Sequence, residues 1–460
     1  MFIYNSLTAT KQELKPITPN EIKLYVCGQT VYDYCHIGHA RSMIVFDMVV
    51  RYFRARNFKV IFVRNITDID DKIIKRANEN KVTCESLTSH FIELMHEDED
   101  ELGLLPPDHE PRATEFIQPI IQLIQKLIDE KIAYIAGNGD VCFEIRKDKE
   151  YGKLAKRDIE KLLSGARVDI NEGKKDPLDF VLWKLAKPNE PQWESPWGNG
   201  RPGWHIECSA MATKILGQPF DIHGGGMDLK FPHHENEIAQ SECAYHKPFA
   251  NIWMHAGLLN IDGNKMSKSL NNFFTIRDVM ENYSAEVIRY FMLASHYRSP
   301  VDYSKDTMEK AAQALTRLYT AIRGISEETN FIPSQNDFTE KFFASMDDDF
   351  NSPVAISILF DMAREINILR EAGKIEDAKK IASQLKYCAS VFGILQKDPE
   401  IFFQGDVNDN FSDEVDELIT KRNEARKNKN FAEADRIRKQ LQEMNIVIED
   451  AGNKTTWRKV

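Results

Sequence analysis

No run of about eighteen consecutive apolar residues occurs in this sequence, so no helix long enough to span a membrane is expected. At the N-terminus, Met1-Phe2-Ile3-Tyr4-Asn5 lacks a basic patch followed by an apolar stretch, which argues against a signal or transit peptide. Cysteine is scarce and odd in number, seven in 460 residues. That excludes a disulfide framework and fits a reducing cytosol. Internal repeats and low-complexity segments are missing. Positive charge is short overall, with a net charge of −11, which taken alone argues against a nucleic-acid partner. The shortage is uneven, however. From Lys421 to Val460 there are 11 Lys/Arg against 6 Asp/Glu, and a basic end on an acidic chain suggests an appended module with its own partner. The length exceeds what one hydrophobic core supports, so two to four domains are expected.

Ile22-Lys23-Leu24-Tyr25-Val26 alternates as a strand does, and Cys27-Gly28 reads as its end. A helix is expected from Ala40 to about Arg54 and a buried strand at Val60–Val63, a rhythm that suggests a parallel βαβ unit. From Asn65 to about Leu102 the pattern is helical and closes on the acidic run Glu97–Glu101, read as a solvated face. Leu104-Leu105-Pro106-Pro107 marks a break. Residues 115–202 then read as an insertion with a helix near Gln118–Glu130, a hairpin from Tyr134 to Phe143 and a Pro/Trp/Gly-rich close. Strand and helix signals resume at Trp204, and Ile252–His255 is a further strand. From about Ser284 to Leu395 the chain is almost purely helical. A polar linker, Gln404–Asn410, leads to a helical pair (Ser412–Lys427 and Phe431–Met444) and a strand at Ile446–Ile448.

Two motifs point to phosphate chemistry. His36-Ile37-Gly38-His39 falls between a strand end and a helix start, where free backbone N–H groups meet phosphate. The glycine permits close approach, and the imidazoles can donate to phosphoryl oxygens. Lys265-Met266-Ser267-Lys268-Ser269 follows the turn Asp262-Gly263-Asn264 and suits a clamp on a polyphosphate. A third constellation points to metal. His233 and Glu237 are four apart and share a helix face. Cys27 and Cys208 are soft thiols at element ends, and a Cys/Cys/His/Glu set suits zinc. Spacing alone leaves His234 as a substitute for His233, and leaves structural histidines with buried thiols as the other reading.

The two phosphate motifs, in this order with an α/β pattern between them, resemble the class I aminoacyl-tRNA synthetases. Cys27–Asp33, Gly203–Met211, Asp221–Gly226 and Phe231–Gln240 look like the cysteinyl-tRNA synthetase family, over nearly the whole chain. The resemblance implies a Rossmann-like α/β catalytic domain with a parallel sheet, followed by a helical bundle and a small anticodon-binding domain. The corresponding divisions are 1–114 and 203–283 for the two catalytic halves, 115–202 for the insertion, 284–400 for the bundle and 401–460 for the C-terminal domain. It implies ATP, used with Mg2+, bound by His36, Gly38, His39, Lys265, Ser267 and Lys268, with His36, His39, Lys265 and Lys268 acting in catalysis. It also implies one zinc ion on Cys27, Cys208, His233 and Glu237, and a pocket for L-cysteine shaped by Gly28, Thr67, Trp204, His223 and Asp228. Arg426, Asp435 and Asp450 would read the anticodon of tRNA(Cys), by a cytoplasmic monomer. Arginine or tryptophan faces near the C-terminus would stack bases, and Cys35, Cys84, Cys142, Cys243 and Cys388 would be inert. Rival readings are a cysteine ligase acting on an amino sugar, an inactive tRNA-binding paralogue and a simple nucleotidyltransferase. The basic C-terminal module weighs against the first, the intact motifs against the second, and the thiol set against the third.

Overall fold

Parallel strands can be joined only by a crossover, usually a helix, and the N-terminal part of this chain is built that way. The computed structural model describes residues 1–156, 173–265, 273–325, 337–404, 409–451 and 454–459. A short antiparallel pair, β1 (Phe2–Asn5) and β2 (Thr10–Glu13), precedes β3 (Glu21–Thr30), α1 (Ile37–Ala55) and β4 (Lys59–Thr67). Then come α2 (Asp71–Asn80), α3 (Cys84–Glu101) and α4 (Ile117–Asp129), followed by β5 (Ala133–Ile135), β6 (Val141–Phe143), β7 (Phe180–Leu185) and β8 (Gly200–Pro202). Next are α5 (Trp204–Leu216), β9 (Phe220–Gly226), α6 (His233–Tyr245), β10 (Ala250–Ala256), β11 (Leu259–Ile261) and β12 (Asn264–Lys265). They are followed by α7 (Ile276–Met280), α8 (Ala285–Leu293) and β13 (Val301–Tyr303).

The central sheet has the order β10-β9-β3-β4, and every pair in it is parallel. β3 lies inside it, so Tyr25 is buried along with Leu24 and Val26. Strands covered on both faces lose the clean alternation of a half-exposed strand. β3 also runs past Cys27-Gly28 to Thr30. Its register against β4 shifts between Val26 and Gln29, a bulge rather than an end. The helical stretch expected from Asn65 is instead strand to Thr67 and then two helices. Asp70 caps Lys72 N–H, Lys81 takes φ +57° to stop α2, and Thr83 caps Ser86 N–H to start α3.

The acidic run at the end of α3 is solvated at Glu97, Asp100 and Glu101 but not throughout. Asp98 and Glu99 are buried. Arg277 of α7 donates to Asp98 at 2.7 Å, and Arg64 of β4 to Glu99 at 2.7 Å. Burial pushes the Asp98 carboxyl up to about 6 even beside Arg277. Partners from distant segments make burial of these charges tolerable.

The stretch from 115 to 202 packs the apolar face of α4 against the antiparallel sheet β5-β6-β7-β8. Ile120, Ile124, Leu127, Phe143 and Trp183 form one core there with Ile206 and Ala210 of α5. Later helices are α9 (Lys305–Ile322), α10 (Asp337–Asp347), α11 (Ser352–Glu371), α12 (Ile375–Ser390), α13 (Pro399–Gln404), α14 (Asp409–Lys427) and α15 (Phe431–Glu443). A hairpin of β14 (Ile446–Ala451) and β15 (Lys454–Lys459) follows them. By contacts the chain forms two units. One holds residues 1–312, 335–358 and 391–393, and the other holds 313–334, 359–390 and 394–460. In the latter, Val415, Ile419, Ile437, Leu441 and Ile446 enclose Trp457, which is 2% exposed and donates from its indole N–H to Asp416. That tryptophan belongs to the core and offers no face for stacking bases. No described helix is long and apolar enough to cross a membrane.

Candidate functional site

The turn from β3 into α1 is held by its own histidines. His36 N–H donates to His39 Nδ1, and His39 N–H donates to His36 Nδ1, each at 3.2 Å, a capping box made of imidazoles. The rings stack with centroids 3.5 Å apart. Because both Nδ1 atoms accept, each neutral ring carries its proton on Nε2. Burial, helped by the neighbouring His36 and Lys72, holds His39 well below the ordinary imidazole range, so it is neutral at pH 7.

The second phosphate motif is tied to this turn at its far flank. Ile37 N–H donates to Phe274 O at 3.0 Å and Ile276 N–H to Cys35 O at 2.9 Å, while the Phe273 ring meets His36 edge-on at 5.3 Å. At its near flank the backbone of Lys265 pairs with Asn260 in β11–β12. Ser267 and Lys268 lie outside the described residues, as does the side chain of Lys265.

The thiol set assembles from three segments. Cys27 sits on the β3 bulge, Cys208 in α5, and His233 and Glu237 one turn apart on α6. Cys27 Sγ is 3.7 Å from Cys208 Sγ and 3.2 Å from Glu237 Oε1, and His233 Nε2 is 3.1 Å from Glu237 Oε1. One donor atom from each of the four lies within 4.8 Å of all the others, a group able to bind a metal ion. Cys27, His223, His234 and Glu237 meet the same limit, but with a single thiol. There His223 Nε2 is 2.8 Å from Glu237 Oε2, and His234 Nδ1 is engaged with His255, which reaches Ser6. His233 likewise has Nδ1 engaged, by His205 at 2.9 Å, and packs against Trp204 at 4.4 Å.

The charges fit a cation. Burial pushes Glu237 up, yet His223 and His233 outweigh it and hold the carboxyl well below its usual range. Burial would raise the Cys208 thiol too, but hydrogen bonds from Cys27 and His233 bring it to about 6. Burial, with Cys208 alongside, pushes Cys27 well up. Of the two sulfurs, Cys208 is the one whose ionised form is favoured.

A cavity of about 420 Å³ is lined by Cys27, Gly28, Trp204 and Asp228 together with His36, Gly38 and His39. Thr67 and His223 stand behind that lining, where Thr67 donates to Glu207 at 3.0 Å and His223 holds Glu237. Gly28 is dictated by space, because a Cβ there would stand 1.6 Å from Asn65 O. Gly28→Ala is therefore expected to cost about 1–3 kcal/mol of stability in urea unfolding, and an unchanged midpoint would contradict this geometry. The remaining cysteines are all free thiols. Cys35, Cys142 and Cys388 are buried, Cys84 and Cys243 partly so, and burial raises every one of them.

In the C-terminal unit Asp450 is gripped by Arg422 at 2.7 Å, Arg426 at 2.8 Å and Thr455 at 2.7 Å, and the Arg422 hydrogen bond leads in holding its carboxyl well below the usual range. Asp435 is exposed on α15. Arg422 was visible in the sequence only as one basic residue among several. Asn65 and Glu207 gave no signal beyond a polar side chain in an apolar setting.

A parallel sheet whose first crossover opens on the His36–His39 turn, with Phe274 and Ile276 hydrogen-bonded back to that turn, fits the class I aminoacyl-tRNA synthetases, and a family match over residues 13–313 shows that class. Residues 13–313 match the family described as tRNA synthetases class I (C) catalytic domain, 341–396 the DALR domain, and 408–458 the cysteinyl-tRNA ligase anticodon binding domain. The chain is 56% identical over 458 residues to a cysteine–tRNA ligase of Coxiella burnetii and 54% identical over 460 residues to that of Alkalilimnicola ehrlichii, in both cases covering the whole of each chain. The chain belongs to the cysteine–tRNA ligase family. In fold alone it is similar to Mycobacterium tuberculosis methionyl-tRNA synthetase in complex with methionyl-adenylate, with TM-score 0.57 and 14% identity over 81% of this chain and 89% of the other.

Proposed function

We propose that this chain joins L-cysteine to tRNA(Cys) at the expense of ATP, and that a zinc ion on Cys27, Cys208, His233 and Glu237 selects the amino acid. The observation that carries this reading is a buried two-thiol donor set opening, at Cys27, onto the cavity that also holds the paired histidines. Two sulfurs at about 2.3 Å in a tetrahedral set stand about 3.8 Å apart, and the thiols here are 3.7 Å apart. The ion would supply a soft positive partner for the substrate's thiolate, a bond that the hydroxyl of serine cannot match.

The chain's own groups do the rest. Asp228 receives the α-ammonium, Trp204 covers the short side chain, and Gly28 leaves room for the backbone. A carboxylate oxygen of cysteine attacks the α-phosphorus of ATP and pyrophosphate leaves. His36 and His39 donate from Nε2 to the phosphoryl oxygens as charge builds, and Lys265, Ser267 and Lys268 hold the polyphosphate with Mg2+. A ribose hydroxyl at the tRNA end then takes the acyl group and AMP departs. Residues 284–400 lie along the tRNA stem, and Arg426, Asp435 and Asp450 read the anticodon. The reading includes a cytoplasmic monomer.

The test is ATP–pyrophosphate exchange with cysteine and with serine, before and after a zinc chelator. Cysteine alone should support exchange, and the chelator should abolish it. Robust serine activation, or full activity without zinc, defeats the reading. Arg426→Ala is expected to lower kcat/KM for the tRNA about 10–100-fold, measured by aminoacylation. An unchanged value removes Arg426 from the anticodon site.

A further inference from the structure

Behind the cavity a line of buried polar groups joins the two thiol-bearing segments, and the steps above give no role to two of its members, Asn65 and Glu207. Gly28 N–H, on the β3 bulge, donates to Asn65 Oδ1 at 2.9 Å. The same oxygen lies 3.5 Å from Cys208 Sγ. Asn65 Nδ2 faces Thr67 Oγ1 at 3.5 Å, and the Thr67 hydroxyl donates to Glu207 Oε2 at 3.0 Å. Glu207 immediately precedes Cys208 on α5. The line therefore starts at the residue after one thiol and ends at the residue before the other.

Asn65, Thr67 and Glu207 are 1%, 2% and 0% exposed. The second oxygen of Glu207 has no hydrogen-bond partner among the described residues. A buried carboxyl with one oxygen unserved is costly, so packing alone does not account for it. What it does is hold Thr67, and through Thr67 and Asn65 it links α5 to the bulge.

We propose that Asn65 and Glu207 are positioning residues of the metal centre, fixing the bulge and α5 against each other so that the Cys27 and Cys208 thiols stand at ligand spacing before an ion arrives. This rests on the zinc reading. A braced pair needs no ordering on metal binding, which strengthens binding and slows release. The two ends of the brace are also the two directions in which the site could open, one in the sheet and one in the helix.

The experiment uses the full-length, zinc-loaded protein and follows zinc release to a colorimetric chelator, with thiolate-to-cobalt absorption of the Co2+-substituted protein as a second readout. Asn65→Ala and Glu207→Ala should weaken zinc retention about 10–100-fold and alter the cobalt band, with KM for ATP unchanged. Glu207→Gln keeps an acceptor for Thr67 and should restore slow release. Thr67→Val removes the same link without opening a cavity, and carries the test if an alanine variant does not fold. Wild-type release rates and an unchanged cobalt band in these variants would overturn the brace while leaving the zinc reading intact. A wild-type protein that retains no zinc would overturn both.

Discussion

Cys208→Ala is expected to lose stoichiometric zinc and to lower cysteine-dependent ATP–pyrophosphate exchange by about 10³-fold or more. Three donors remain, but the one removed is the sulfur held ionised next to His233, with its thiol drawn to about 6. Loss of a soft, charged ligand from a buried set leaves the ion with one sulfur, one imidazole and one carboxylate, a weaker site for zinc. Selectivity should fall with the metal. Recognition by a strong specific interaction separates near-isosteric substrates by about 10⁴-fold or more, whereas shape alone gives about 10–200-fold. The cysteine-to-serine ratio in exchange should therefore collapse from the former range to the latter. A Cys208→Ala protein that keeps both its zinc and its preference for cysteine would place selection elsewhere.

His39→Ala is expected to lower kcat for exchange about 10²–10³-fold with KM for ATP little changed. That is the pattern of an interaction made chiefly in the transition state. The reciprocal cap commits Nδ1 of each ring to the backbone, leaving Nε2–H to aim at developing charge. The same burial fixes the pH behaviour. His39 lies well below its ordinary value, so the neutral ring is the folded form above about pH 6.5. Its contribution to stability is complete there and is lost as the pH falls through the depressed value. The kcat profile should thus show no ionisation of His39 between about pH 6.5 and 8. A step in that interval that disappears in His39→Ala would mean that the ring works as an acid.

What could be read from the sequence was what is local. The turn at His36 is a cap closed within four residues, and the His233–Glu237 pair is one helical turn, so spacing points to both, although it does not separate His233 from His234. Cys27 and Cys208 are 181 residues apart, and no periodicity joins them. They were reached through likeness to a family. The same limit explains the misreadings. Asp98 looked solvated because its partner, Arg277, is 179 residues away. Cys27-Gly28 looked like a strand end because a bulge and a terminus break alternation alike. What separates them is the partner strand, where Gln29 pairs with Ile66 again. Trp457 looked like a stacking platform because composition does not tell a surface aromatic from the one that fills a small core.

The sheet order bears on how the chain is made. β9 slots between β3 and β10, so β3 leaves the ribosome with an open edge and waits for a strand that comes much later. Cys27 emerges 210 residues ahead of Glu237, and a nascent chain that stops before α6 carries both thiols without the imidazole and carboxylate that complete the set. A chain cut before α6 therefore lacks two of the four proposed zinc ligands, although β9 is already in place to cover the edge of β3.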